Sequence, residues 1–446
     1  MRQSEQMSEV FGALRSALAR GVETGELMGL LWPMERAGGE AFVEQVLPYV
    51  AATWRGGAEA LGGRLCGQML MRGARSLSLV RSLALRGASV EALERVTPAL
   101  LPALAALEIE AAPGTERAVG AALERMAGQL ERVTLRGQIG AGLTCLGAAG
   151  PLAALDLGGA VLDAASEAWL EAEGERGRLR ALGLVGSSLR GWRLGQLLGG
   201  ASRWPGLERL AVRAWDRHLS EGALEAVRMR AAGGLVGLRL CADRAVARWP
   251  DALDLEEVEV ESCSSAPLKI ERVVSARTRR LVMHPAQTSL EVIEAPALED
   301  ARLWGAGRAL VDALARTPLP RLRRLSLCVT GLERPGGDAF SGLYGPIQWP
   351  SLTQLELGGG ALRLHELGAL CRSPLAGQLD SLRLRFIGDN IDGWSPRELV
   401  RVFEPHREQL RALRRLEIAG ADAAAVRRAV DGTWLGEVLR SPQPRS

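Results

Sequence analysis

The sequence predicts an α/β solenoid, with a parallel β-sheet along one side of a stack of short repeats and helices or turns along the other. Three observations predict it. An aliphatic pattern L-x-x-L-x-L returns along most of the chain, as in Leu104/Leu107/Ile109, Leu152/Leu155/Leu157, Leu322/Leu325/Leu327 and Leu379/Leu382/Leu384. Its central residues fall at Leu83, Leu107, Val133, Leu155, Leu182, Leu210, Leu238, Val258, Leu281, Ala301, Leu325, Leu355, Leu382 and Leu416, in steps of 20 to 34 residues. A proline often stands just ahead of the unit, at Pro102, Pro151, Pro205, Pro296, Pro320 and Pro350, and Trp-Pro recurs at Trp204, Trp249 and Trp349. A short repeat of this kind sets the architecture, because each unit buries its apolar face only against its neighbours. Proline fixes its own φ and disfavours helix in the residue before it, which suits the junction between an incoming helix and the next strand.

On this pattern the chain resembles the leucine-rich repeat superfamily, over about 14 units spanning residues 76–420. The resemblance implies a horseshoe with a parallel concave sheet, and protein–protein recognition as its role. One departure is clear. Where that family often carries Asn or Cys three places after the last marked residue, this chain has Ala112, Gln138, Ala160, Ser187, Trp215 and Asp243, among others. The side-chain ladder is degenerate, so irregular repeats are expected. The units at Leu281 and Ala301 are the weakest, because Thr278 and Ala301 stand in for aliphatic residues.

Residues 1–75 lie outside the repeat. Met7–Arg20 and Ala41–Ala52 have apolar residues at helical spacing, broken by Trp32-Pro33 and Gly38-Gly39, which predicts a mainly helical N-terminal cap. A strand at Phe42–Val46 is the alternative. Such a cap covers a row of leucines that an open repeat end would expose. Helices are predicted next at Ser89–Leu101, Thr115–Gln129, Asp163–Glu173, Gly191–Gly199 and Leu219–Ala232, with Ser89, Thr115 and Asp163 as N-caps. Between Cys241 and Leu303 the steps shorten, and Pro250, Pro267, Pro285 and Pro296 leave little room for helix. Leu268–Val274 and Ser289–Ile293 alternate like strands, so turns or extra strands are expected there, with a flatter solenoid. Helices return at Gly307–Arg316, His365–Arg372 and Ser395–Gln409, the last opened by the capping box Ser395-Pro396-Arg397-Glu398. Gly331–Gly345 reads as a longer loop. Residues 421–446 read as a C-terminal capping helix, Ala421–Arg440, and a tail.

Composition excludes several classes. Net charge is +3 over 446 residues, so no strong general field draws nucleic acid. Lys269 is the single lysine; with abundant Ala, Gly, Leu and Arg this suggests a bacterial, GC-rich coding sequence. The six cysteines show no C-x-x-C and read as small buried thiols in a reducing cytosol. His218, His284, His365 and His406 lack metal-ligand spacing. Met1–Val10 has no apolar signal core, and no uncharged apolar run is long enough to span a membrane, so a cytoplasmic, membrane-free protein is expected. Phosphate-loop, nucleophile-elbow and H-E-x-x-H motifs are missing, so neither catalytic residues nor cofactors are assigned.

The unmarked strand positions are then the informative ones. Side chains alternate along a strand, so the neighbours of the marked residues face away from the core. They form rows such as Glu257/Glu259/Glu261, Arg280/Val282/His284, Asp300/Arg302/Trp304 and Arg324/Ser326/Cys328. The acidic row, with Arg239 and Arg280 on flanking strands, is either a cross-strand charge ladder or a binding stripe for a basic partner segment. Trp304, near Arg302 and Arg324, is either an interface anchor or a residue tucked into an irregular repeat. The candidate partner-binding residues are therefore Arg239, Glu257, Glu259, Glu261, Arg280, Arg302, Trp304 and Arg324.

The sequence thus favours a non-enzymatic repeat protein that binds a protein partner through its concave face, as adaptor, scaffold or regulatory subunit. Two rivals stand beside it. The rows Arg132/Arg136, Arg209/Arg213 and Arg383/Arg385 motivate nucleic-acid binding, against which stand the acidic rows and near-neutral charge. Cys66 motivates an effector-type enzyme with a catalytic N-terminal region.

Overall fold

A computed structural model describes residues 80–147, 150–189, 191–199, 204–214, 234–242, 255–262, 272–284, 292–329, 340–359, 364–385, 396–419 and 433–440, with short pieces at 12–17, 30–31, 46, 50, 66–67, 70–71, 77 and 430. The chain divides into two compact units, Met1–Val212 and Arg213–Pro442. Each is built on a parallel sheet, and every one of the expected aliphatic units forms a strand.

In the first unit the parallel strands run in the order β1 (Ser82–Ala88), β2 (Ala106–Ala111), β3 (Arg132–Gly140), β4 (Ala154–Asp156), β6 (Ala181–Gly183) and β7 (Arg209–Ala214), the last reaching across the division. A short β5 (Ala160–Leu162) pairs with the far end of β3. Between them lie α1 (Val90–Glu94), α2 (Glu116–Met126), α3 (Ala164–Arg176) and α4 (Gly191–Leu198). The second unit continues with β8 (Gly237–Ala242), β9 (Glu257–Ser262), β10 (Arg272–Val274), β11 (Arg280–His284), β12 (Val292–Glu294), β13 (Asp300–Ala306), α5 (Arg308–Arg316), β14 (Arg324–Val329), β15 (Gln354–Gly359), α6 (Leu364–Arg372), β16 (Ser381–Arg385), α7 (Pro396–Phe403), β17 (Arg415–Ala419), α8 (Trp434–Val438) and β18 (Leu439–Arg440). Its sheet has the order β8-β9-β11-β13-β14-β15-β16-β17-β18, while β10 and β12 make a separate parallel pair.

The marked residues are the core. Leu83, Leu107, Val133, Leu155, Leu182, Leu210, Leu238, Val258, Leu281, Ala301, Leu325, Leu355, Leu382 and Leu416 are all buried. They pair across strands in register, as Leu281 with Val258 and with Ala301. Each fully buried aliphatic side chain contributes about 1.5–3 kcal/mol. The stack is therefore held by the repetition itself.

The prolines have a sharper role than helix termination. In Leu101-Pro102-Ala103-Leu104 the Leu104 N–H donates to the Leu101 carbonyl at 3.2 Å, and the same turn recurs from Trp204 to Leu207, Ala295 to Leu298, Leu319 to Leu322 and Trp349 to Leu352. Proline occupies the second place of each turn, where its fixed φ is already correct. The turn delivers the first leucine of the unit inward.

At the opposite end of the strands from the degenerate side-chain positions, the backbone supplies a regular ladder. At the mouth of most strands of the main sheets two successive N–H groups converge on one carbonyl of the preceding unit. Glu131 and Arg132 donate to Ala105, Arg279 and Arg280 to Glu256, Glu299 and Asp300 to Arg279, and Arg414 and Arg415 to Asp380. Main-chain groups exist whatever the residue, so the ladder tolerates degenerate sequence. The weak unit at Leu281 is repaired locally. Buried Thr278 donates its hydroxyl to the Leu255 carbonyl at 2.7 Å, and Ser275 Oγ accepts from the Thr278 N–H at 3.1 Å.

Several expectations about helices need correction. The first helix stops at Glu94 because Pro98 cannot continue it. Ser89 caps it as expected, its Oγ accepting from the Ala92 N–H at 3.3 Å. Asp163 likewise caps α3, accepting from the Ser166 N–H at 2.8 Å. Thr115 does not cap; its hydroxyl donates to the Ala112 carbonyl at 2.7 Å. The helix from Pro396 ends at Phe403 and gives way to a 3-10 turn, Glu404–His406, carrying Pro405. At the C-terminus the described helix is Trp434–Val438, and Leu439–Arg440 turns into a strand beside β17 rather than continuing helical. Extra strands β10 and β12 appear where alternation predicted them.

In the N-terminal region residues 12–17 are helical, with Leu14 and Ala17 on the buried side, and Val46 and Val50 are helical rather than extended. The rest of that cap, the Leu219–Ala232 helix, Ser395 of the capping box and most of the Gly331–Gly345 loop lie outside the described residues. Among the described residues no helix is long and apolar enough to cross a membrane.

Candidate functional site on the polar face of the sheet

The second unit brings all eight candidate residues onto five neighbouring strands, β8, β9, β11, β13 and β14. Register places Arg239 beside Glu259, and Glu257 beside Arg280. It places Asp300 between Arg280 and Arg324, and Arg302 beside Ser326. The leucine face lies on the other side of the same strands, so these side chains share one polar face.

The acidic row is largely engaged from within. Arg239 reaches Glu259 at 3.3 Å and Glu261 at 2.8 Å. Asp300 is held by Arg302 of its own strand, at 3.2 Å. Further along, Glu356 meets Arg385 at 3.3 Å and Arg383 at 4.0 Å, and Glu417 meets Arg383 at 3.3 Å and Arg415. These pairs are half-exposed, so each adds only about 0–1 kcal/mol to stability. Their larger effect is to fix where charge remains. The row Arg383/Arg385 is paired with Glu356 and, through Arg383, with Glu417, and Arg136 of the first unit stands 3.8 Å from Glu108.

Trp304 departs from expectation in its neighbours. It does face the polar side and is half-buried. Arg302 and Arg324 are not its partners. The row across the strands reads His284, Trp304, Cys328, Gly358, Arg385. The His284 ring meets the indole edge-on, with centroids 4.2 Å apart. From the far side, Arg385 brings its guanidinium carbon to 5.5 Å from the ring centroid. Cys328 and Gly358 stand between them in the row, and their small size leaves the indole room. Burial lowers the His284 pKa despite Glu259 and Glu261, which favours the neutral ring. Burial raises the Cys328 thiol above its ordinary value. The Trp304 N–H is shut from solvent without an acceptor, as are those of Trp169 and Trp434. Such a group costs about 1–3 kcal/mol.

His284 and Arg385 were missing from the candidate set although the signal was in the sequence. Both occupy the repeat slot that follows the last marked aliphatic residue, the slot of Trp304.

The other tryptophans of the turns are structural. Trp204 and Trp349 are buried, and their N–H groups donate to Leu197 at 2.9 Å and Thr317 at 3.0 Å. Trp249 lies outside the described residues.

Cys66 has the surroundings of an inert thiol. It is buried, and burial pushes its pKa up to about 12. A thiolate is the reactive form, so this environment suppresses nucleophilic chemistry. Cys241 corrects the expectation of six reduced thiols: it is disulfide-bonded, while Cys66, Cys145, Cys328 and Cys371 are free. Disulfides persist in oxidising compartments, so the cysteines no longer support a reducing cytosol. Among the described residues no group of three or more His, Cys, Asp or Glu side chains could hold a metal ion.

No protein-family model matches the chain, and no curated protein matches it. Among solved structures it is similar to the crystal structure of a Bacteroides fragilis protein, a structural-genomics target, with 15% identity and a TM-score of 0.32. The match covers 48% of this chain and 59% of that one. Likeness of this degree carries no functional statement.

Proposed function

We propose that the chain is a binding protein of the leucine-rich-repeat type, which takes a protein partner on the polar face formed by β8 to β17. The observation that supports this reading most is Trp304. A half-buried tryptophan sits on a charged sheet face, between His284 and Arg385, although the apolar core lies on the opposite side of its strand. Tryptophan and arginine are the residue types that anchor interfaces. The charged residues around it, from Arg239 to Arg324, form the polar rim such an anchor needs.

The test is affinity capture with the full-length protein as bait, from a lysate of the source organism. Trp304→Ala is compared with wild type, and Glu257→Ala/Glu259→Ala/Glu261→Ala forms a second variant. A partner retained by wild type and lost by Trp304→Ala, with a cooperative thermal melt retained, supports the reading. Equal capture by all three proteins removes this face as the site.

A further inference from the structure

We infer that the segment received on this face is acidic, with Arg280 and Arg324 as its anchors; the inference rests on the face being the partner site. The row of three glutamates, taken by itself, suggested a basic partner. The ion pairs reverse that. Glu259 and Glu261 are held by Arg239, Glu356 by Arg383 and Arg385, and Glu417 by Arg383 and Arg415.

Asp300 decides the matter. It lies in register with Arg280 on one side and Arg324 on the other, so both compete for its carboxylate. Arg302 takes it instead, through two nitrogens at 3.4 and 3.2 Å. Glu257 lies in register on the far side of Arg280, and Arg324 has the neutral Gln354 on its far side. Arg280 and Arg324 are both exposed cations, left over on a face whose carboxylates are otherwise engaged.

Strands in a sheet stand about 4.8 Å apart, so these two arginines, with β13 between them, are about 10 Å apart at their bases. An extended chain rises about 3.3 Å per residue, so carboxylates at positions i and i+3 match that span. Trp304, four residues along β13 from Asp300, lies about 13 Å away and marks the other end of the footprint. Guanidinium groups favour carboxylates because the fork geometry allows two parallel hydrogen bonds.

The experiment uses fluorescence anisotropy on the full-length protein with three labelled probes: an oligoglutamate peptide, an oligolysine peptide of equal length and a single-stranded RNA. The expected result is salt-sensitive binding of oligoglutamate, weakened about tenfold or more in Arg280→Glu/Arg324→Glu. Arg280→Gln/Arg324→Gln gives a smaller loss and serves if charge reversal impairs folding. Oligolysine binding more tightly than oligoglutamate overturns the inference, as does oligoglutamate binding that neither variant changes. RNA binding more tightly than either peptide, and lost in the same variants, overturns it in favour of a nucleic acid. Native-partner capture lost in Trp304→Ala but kept in both arginine variants leaves the face standing and removes its acidic partner.

Discussion

Arg385 lies over the ring of Trp304, although β14 and β15 run between their strands. The contact spans that gap because Cys328 and Gly358 fill the intervening slots. A Cβ on Gly358 would stand 3.1 Å from Arg385 Cβ and 3.3 Å from its carbonyl oxygen. Small residues in the middle of the row and large ones at its ends make a shallow seat for one aromatic ring.

Gly358→Val should therefore displace Arg385 from Trp304. The expected loss of stability is about 1–3 kcal/mol, the range for overpacking a well-filled site. Urea denaturation measures it. Trp304→Ala should cost less, because its ring is half-exposed and its N–H is already unpaired. A larger loss from Trp304→Ala than from Gly358→Val would show that the ring belongs to the core.

Trp204 and Gly174 define one junction of the first unit. A Cβ on Gly174 would approach Trp204 Cε2 to 2.7 Å, and the Trp204 backbone N–H donates to the Gly174 carbonyl at 2.6 Å. Gly174→Ala should destabilise by about 1–3 kcal/mol, and Trp204→Ala, which opens a cavity, by about 3–5 kcal/mol. Because the two residues touch, the double variant should lose less than the sum. Thermal melts of the three variants check this, and strict additivity would contradict the contact.

Glu173 is fully buried, and both of its oxygens are taken by Arg178, with Arg176 adding a contact at 3.2 Å. Arg178 also donates to the Gly147 carbonyl at 2.9 Å, which ties α3 to the preceding unit. Glu173→Ala leaves Arg178 without its carboxylate and should cost about 3–5 kcal/mol. Replacing both, as Glu173→Leu/Arg178→Met, should recover most of that loss. Chemical denaturation of single and double variants reads the difference.

Cys66 and Cys371 are held protonated by burial, each with its pKa pushed from 9.0 to about 12. Iodoacetamide at neutral pH should leave both unmodified until the chain unfolds, which peptide mass spectrometry detects. The sign for stability follows from proton counts. Above the ordinary thiol value the unfolded chain has lost protons that the folded chain keeps, so stability falls as pH rises from 9.0 toward about 12. Cys66→Ala/Cys371→Ala should show a shallower loss over that window.

The strand positions were legible because hydrophobic burial leaves a period-two signature, and parallel register repeats it from unit to unit. Even Leu281 and Ala301 fell in place. Helix starts were legible where a short side chain caps them, as at Ser89 and Asp163, and the helix expected at Gly307–Arg316 runs from Arg308 to Arg316 without a side-chain cap. Thr115 had the right type in the right place, yet its hydroxyl took a carbonyl instead, a choice between two local bonds that sequence does not reveal. Pro98 and Pro405 signal an early stop in the sequence, against a helical spacing of apolar residues that continues past them.

What the sequence determined by itself is the stack: where each strand lies, which residues turn inward and which share the polar face. These follow from a periodicity that is local in the chain. What only the tertiary structure decided is which charges on that face remain available. Arg302 claims Asp300, Arg239 claims two glutamates, and Arg385 crosses two strands to reach Trp304. Long side chains choose among neighbours on their own strand and on strands brought alongside, and that choice depends on how the repeats stack in space.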